Sequence, residues 1–430
     1  MSETILHIQE KPEIDDSIKE YDYVEYQPIS GSQLNTSGQI TITIENTDDF
    51  FYPRHSWLLF EGNLVKSAND AVYEDGDAIA LTNNAIMYLF TNIRYSLSGI
   101  EIESVNHPGF ASTMLSFVKY SNDFAKGAGL AQCWYPDTST TAEIANNTGF
   151  AVRQSYIIRK PNPKGSFSFA IPLEHILGVC EDYDKVVYGV RHTLTLVRSP
   201  DDTDAIFKGA AVDAGKVKLT KISWMMPRVL PNDEMKYKLY KSIESKTTLD
   251  VAFRMRQCNV IEIPQATSMS WRLGVRTAPE KPRFVIVGLQ TDKTGDQAKN
   301  AALFNHCNVT NMSVVLNSTK YPPLDVNANF TKNQFIQFYK YMTEFTRDYY
   351  GIDPLLGGSG IHVNSYKELR PLFVFNVSKQ SERLNHGVVD ITIDMQFSEN
   401  VAEHTRAYAL VISDRRLKLQ SDGKKMNVLY

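Results

Sequence analysis

Alternation of apolar and polar residues with a period of two, repeated in many short runs, most restricts what this chain can fold into. In "GQITITIEN" (38–46), Ile40, Ile42 and Ile44 alternate with polar neighbours; "HTLTLV" (192–197) and "VVDITIDMQF" (388–397) repeat the pattern. Successive side chains of a strand point to opposite faces, so each run offers one face to a core and one to solvent. Ten further runs read as strands: 56–65, 92–102, 165–171, 217–226, 259–263, 267–275, 283–289, 311–317, 371–377 and 406–413. They are short, rich in β-branched and aromatic residues, and bounded by Gly, Pro, Asn and Asp. So many strands with few helices between them predict antiparallel sandwiches and not a doubly wound parallel sheet.

Helical patterns are few. In "TKNQFIQFYKYMTEFTRDYY" (331–350), Phe335, Phe338, Met342, Phe345 and Tyr349 fall on one face, and Thr331 or Asn333 is placed to cap it. That stripe is expected to pack into a core; an aromatic binding box is the weaker reading. A second helix is expected over 109–124, using Phe110, Met114, Phe117 and Val118. A third is expected over 232–243, with Asp233 and Glu234 in the first turn and Met235, Leu239 and Ile243 on one face.

The order of these elements repeats. "FTNIRYSLSGIEI" (90–102), the helix near 109–124, and then "GSFSFAIPLEHILG", "HTLTLVRS" and "VKLTKISWMM" follow one another in the first half. "FNHCNVTNMSVVLNSTKYPPL" (304–324), the helix near 331–350, and then "RPLFVFNV", "VVDITIDMQF" and "RAYALVISDRRLKL" follow in the second. Identity is low, so the order carries the inference: two copies of one β module. The expected division is an N-terminal arm over 1–20, a first module over 21–228, a connector over 229–246, a second module over 247–418 and a tail over 419–430. The first module carries an extra segment at about 126–165, rich in Ala, Thr and Asn and expected to be a long excursion. Two sandwiches of about 200 residues would account for the length, each with the roughly eight strands of a jelly roll. The fold class expected is therefore all-β: two tandem jelly-roll sandwiches with a few short helices in loops.

Composition removes several function classes. A formal net charge of −4 and a pI of about 6.2, with no long block of one sign, do not suit a basic nucleic-acid binder. Cys133, Cys180, Cys258 and Cys307 are far apart and form no C-x-x-C, so buried thiols are expected and not a zinc site or disulfide framework. No apolar run approaches the ~20 residues of a membrane span. "MSETILHIQEKPEIDDSIKEYDY" contains no apolar leader core, so sequons such as those at Asn308, Asn311, Asn317 and Asn376 are not expected to carry glycans.

One short stretch raises a sharper question. Asp292-Lys293-Thr294-Gly295 follows the apolar run "VIVGLQT", and D-K-T-G is also the core of the phosphorylation site of P-type ion pumps. Phosphoryl transfer needs a nucleotide pocket and a metal-holding acidic site besides the acceptor. The Lys-Gly-Ala tripeptides at 126–128 and 208–210 precede Asp292, whereas in pumps that motif follows; G-D-G-x-N-D is absent, and Asp296 stands where pumps have Thr. Asp292 therefore reads as a turn residue. G-x-x-x-x-G-K-[ST] and G-x-S-x-G do not occur, "PLLGGSG" (354–360) reads as a loop, and no two His have metal-ligand spacing. Acidic pairs such as Asp48-Asp49 and Asp201-Asp202 fall in turns. No catalytic, cofactor-binding or metal-ligating residue is assigned, and no cofactor is expected.

"YVEYQPISGSQLNTSGQITITIENTDDFFYPRHSWLLFEGNLV" (23–65) resembles the start of double jelly-roll major capsid proteins, closest to those of adintoviruses and Polinton (Maverick) elements. "NNAIMYLFTNIRYSLSGIEIE" (83–103), "PRVLPNDEMKYKLYKSI" (227–243) and the stretch from "VVDITIDMQF" to the final "NVLY" are similar to later parts of that family. The resemblance covers about residues 20–430 but not the detail of 126–165. It implies a structural protein and no enzyme: homotrimers with a pseudo-hexameric outline tile an icosahedral shell and define the virion. It further implies neighbouring capsomers, penton and minor capsid proteins as partners, with no sequence-specific nucleic acid and no membrane span. A sandwich-type glycan-binding or adhesion protein is the alternative.

Overall fold

The computed structural model describes residues 16–29, 31, 33–274, 281–293, 295–353, 357–380, 389–421 and 426–429. In the first half the alternating runs pair into two antiparallel sheets. One has the order Ile18–Tyr26, Gly215–Pro231, Trp57–Lys66, Ser166–Pro172, and the other Gly38–Ile44, His192–Arg198, Phe90–Leu97, Ile100–Asn106. In the second half one sheet has the order Thr248–Glu262, Thr405–Ser421, Lys281–Thr291, Leu372–Asn376, and the other Ser268–Leu273, Ile391–Phe397, Val309–Leu316, Thr319–Tyr321.

Counting these eight strands of each half along the chain, the sheets run first–eighth–third–sixth and second–seventh–fourth–fifth in both halves. This shared order is the jelly-roll winding, made twice. The repeat inferred from element order is therefore a repeat of topology. Its physical basis is plain in Gly38–Ile44, where Ile40, Ile42 and Ile44 are wholly buried while Thr41 and Thr43 are not.

Between the fifth and sixth strands each module carries a helix, Pro108–Lys119 in the first and Ile336–Tyr350 in the second. The expected apolar stripe is buried at Phe335, Phe338, Met342, Phe345 and Tyr349. The cap differs from expectation. The helix begins after Phe335 with no side-chain cap, because Asn333 adopts a φ of 57° and the chain first closes a turn between Asn329 and Gln334. The helix expected over 109–124 is two: Tyr120 is extended, and Ser121 caps a separate short helix, Asn122–Lys126. Helix Asp233–Glu244 is capped by Asn232, whose side chain accepts the Met235 N–H at 2.8 Å, and its apolar face is only half-buried.

Several strands reach beyond the runs read from sequence, and Gly215–Pro231 runs into the expected connector. Ile18–Tyr26 begins inside the stretch expected as an arm, and only the last residues of Thr248–Glu262 fell within an expected run. Thr405–Ser421 extends its run and also pairs with Met426–Leu429 in the expected tail. The 126–165 segment, expected as a long excursion, lies between the fifth and sixth strands. It forms helical turns at Ala128–Gln132, Thr148–Gln154 and Ser155–Arg159, and buries Cys133, Trp134, Phe150, Ile157 and Ile158.

Candidate functional site

The most elaborate polar chemistry in the molecule lies where the two modules meet. The second module presents the edge strand Thr248–Glu262, whose outer side pairs with no strand among the described residues. An open edge leaves backbone groups in want of partners. Side chains of the first module supply them. Asp182 Oδ2 accepts the Arg254 N–H at 2.8 Å, and Glu103 Oε1 accepts the Arg256 N–H at 3.0 Å. Glu103 comes from the fifth strand, Ile100–Asn106, and also accepts the Val179 N–H at 2.9 Å. Asp182 ends the short helix Gly178–Asp182, which is pressed against the Arg254 carbonyl at Gly178.

A buried ionic cluster surrounds this seal. The Arg256 guanidinium bonds the Glu181 carboxylate and donates to the Glu174 carbonyl at 3.1 Å. Lys119 Nζ reaches Glu181 Oε1 at 2.7 Å, and the hydroxyls of Tyr349 and Tyr350 donate to the same carboxylate at 3.1 and 2.7 Å. Burial alone would raise the Glu181 carboxyl, but Arg256 and Lys119 hold it well below the usual carboxylate range. Burial lowers Arg256 in turn, and Glu181 more than reverses that, so the guanidinium stays charged. Burial pushes Glu103 up against the pull of Arg256 and its backbone donors. Arg254 adds a bond from Nε to Asp182 at 2.8 Å and lies 3.6 Å from the Tyr349 ring centroid.

A second polar knot ties the 126–165 segment across the same boundary. Both carboxylate oxygens of Asp137 accept from Arg153 Nη2 at 2.9 Å, and Asp137 also accepts from Asn147 at 2.9 Å and from Asn300 of the second module at 3.0 Å. Arg370 donates to the Asp137 carbonyl and lies over the Phe117 ring. Two further contacts cross the boundary: Phe110 stacks on Tyr408 with centroids 4.0 Å apart, and Thr346 Oγ1 donates to the Val118 carbonyl at 3.2 Å. One apolar cluster runs through both modules without a break.

The residues weighed from sequence sit elsewhere. Strand Lys281–Thr291 ends immediately before Asp292, whose side chain is 69% exposed and lies 3.8 Å from Lys299. Thr294 and residues 354–356 lie outside the described residues. Lys293 follows Asp292 just past the strand end. Its ammonium turns inward to donate to the Leu303 carbonyl at 2.6 Å, and burial pushes it down to about 7. Cys133, Cys180 and Cys258 are buried, Cys307 is half-buried, and all are free thiols. Among the described residues no three His, Cys, Asp or Glu side chains are grouped to hold a metal, and no helix is long and apolar enough to cross a membrane. The seam residues were not legible as a site, because Glu103, Glu181 and Arg256 are joined only by folding.

Residues 79–417 match the family model of the double jelly roll-like domain. The chain belongs to this family. No curated protein matches it in sequence. Solved structures share the double jelly-roll fold at low identity. PBCV-1 VP54, fitted into a reconstruction of the virophage Sputnik, aligns at a TM-score of 0.58 and 8% identity over 98% of this chain and 99% of that one. The Faustovirus major capsid protein aligns at 0.53 and 10%, over 98% and 94%, and the mavirus major capsid protein at 0.51 and 12%, over 99% and 93%. At these identities the likeness is one of double jelly-roll architecture across whole chains.

Proposed function

We propose that this double jelly-roll protein is a major capsid protein whose homotrimers form pseudo-hexameric capsomers of an icosahedral shell. The observation that carries the reading is the seam. Two modules of one topology are joined by a buried, fully assembled interface, so a single chain already holds two neighbouring units in a fixed relation. Three such chains supply six units around one axis. Whole-chain likeness to the PBCV-1, Faustovirus and mavirus capsid proteins supports it. Neighbouring capsomers, and penton and minor capsid proteins, are the partners such a role requires, and the virion is its place.

Light scattering and negative-stain microscopy of the purified chain test the reading. The expected result is a trimer of about three chain masses with a six-lobed outline, and shell-like particles at high concentration. A chain that stays monomeric at every concentration overturns it.

A further inference from the structure

A cavity of about 720 Å³ opens between the 126–165 segment, the first module beside strand Ile206–Lys208, and residues 291–305 of the second module. The Lys208 N–H donates to the Gln297 carbonyl at 2.9 Å and ties two of these walls together. The volume falls within the ~300–1,000 Å³ of small-molecule sites.

Lys293 lines this cavity, and its ammonium has an unusual setting. It donates to the Leu303 carbonyl at 2.6 Å, a neutral partner, and forms an ion pair with no carboxylate among the described residues. The acidic residues of the same cavity are engaged elsewhere. Glu143 accepts from Asn146 Nδ2 at 2.6 Å, Asp296 accepts the Ala298 N–H at 2.8 Å, and Glu368 lies 3.9 Å from Lys367. Lys299, a second cation of the cavity, lies 3.8 Å from Asp292. A buried ammonium without a counter-charge tends to give up its proton. Burial holds Lys293 down to about 7, with Lys299 adding a like charge and Cys307 opposing it. A large share of Lys293 is therefore neutral amine near neutral pH. Desolvation beside another cation is the usual way in which a lysine becomes a nucleophile.

We propose that this cavity binds a small hydroxylated aldehyde and that Lys293 Nζ captures it as an imine. The nitrogen lone pair forms a bond to the carbonyl carbon while the C=O pair moves to oxygen. A proton passes from nitrogen to that oxygen, giving a carbinolamine. The C–O bond then breaks as C=N forms, and the oxygen leaves as water with a second proton from nitrogen. Amine and aldehyde become imine and water, and nothing is oxidised. Glu143, Asp296 and Glu368 are the carboxyl groups of the cavity that can relay these protons. The hydroxylated class follows from the walls: Thr141, Asn300 and Asn305 present a hydroxyl and amides that an apolar chain would leave without partners.

Reductive trapping tests the proposal on the intact wild-type chain. The protein is treated with glyceraldehyde and cyanoborohydride near neutral pH, and the adduct at each lysine is followed by peptide mass spectrometry. Lys293 should be modified roughly tenfold faster or more than Lys299, which lines the same cavity beside a carboxylate. The Lys293 rate should level off as glyceraldehyde is raised, as capture from a bound state requires, while the Lys299 rate stays proportional. The ratio of the two rates should fall when propanal replaces glyceraldehyde. A Lys293 rate no greater than that of Lys299 overturns the capture. A Lys293 rate strictly proportional to glyceraldehyde overturns the binding cavity. A ratio that rises with propanal overturns the hydroxylated class.

Discussion

Gly178 lies so close to Arg254 that a β-carbon built on it would stand 1.8 Å from the Arg254 carbonyl oxygen. No side chain fits there without moving the Gly178–Asp182 helix off the edge strand. Gly178→Ala is therefore expected to cost about 1–3 kcal/mol, the usual penalty of overpacking. The amides of Arg254 and Arg256, which Asp182 and Glu103 now protect, should exchange faster with deuterium. A urea midpoint equal to that of the wild type would show that the junction yields freely.

Glu181 gives the seam a pH signature. Its folded carboxyl titrates below the unfolded one, so its contribution is fully present above the unfolded value, about 4.3, and is lost as pH falls further. Glu181→Gln is expected to cost about 3–5 kcal/mol near neutrality, because Arg256 and Lys119 lose their buried counter-charge. The gap between variant and wild type should shrink below about pH 4.3 in denaturant titrations. A gap independent of pH would assign the loss to packing alone.

Lys293 gives a slope of the same sign in a higher window of pH, but from a group whose burial costs stability. Its folded ammonium titrates at about 7, below its unfolded value of about 10.4, so the unfolded chain binds the extra proton between those limits. Wild-type stability should rise with pH across that window on this account. Lys293→Met removes the buried charge, so it should be more stable than wild type at pH 7, and its advantage should fade as pH approaches about 10. Thermal midpoints of the two proteins at a series of pH values decide the matter.

Asp137 holds the 126–165 segment to the rest. Asp137→Ala leaves Arg153 buried without its partner and frees Asn300, an expected loss of about 3–5 kcal/mol. Limited proteolysis should then cut first within 126–165, and Asp137→Asn should fall between the two. Cleavage elsewhere first would show that the segment is held chiefly by its apolar residues.

By contrast, Asp292→Asn should change stability by less than about 0.5 kcal/mol, since the side chain is 69% exposed and its one ion pair is long. Incubation with labelled ATP should leave no acid-stable phosphate on the wild-type chain.

The strands were legible where one face meets a core and the other meets water. Gly38–Ile44 and His192–Arg198 are of that kind, and alternation marks them without ambiguity. Thr248–Glu262 was seen only at its end, because its outward row includes Arg254 and Arg256, which the first module buries. Charged residues there mimic a solvent face and gave no sign of an interface. In the 126–165 segment, read as an excursion rich in Ala, Thr and Asn, composition gave no sign that Asn147 and Asp137 are donor and acceptor of a buried knot. The caps expected at Thr331 or Asn333 failed because an intervening turn delays the helix to Ile336. What sequence could not show is which distant charges meet, since Glu103 and Arg256 belong to different modules.

The edge of Thr248–Glu262 is answered by carboxylates at fixed positions and not by another strand. Two strands can slide past each other in steps and still satisfy their ladders, but Asp182 and Glu103 match one setting of that edge only. A shift of one residue along that edge would set both carboxylates opposite residues whose N–H groups point into the sheet, leaving two buried charges without those donors. The junction thus works as a vernier: it fixes the height and angle of one sandwich against the other to a single mark, before any second molecule arrives.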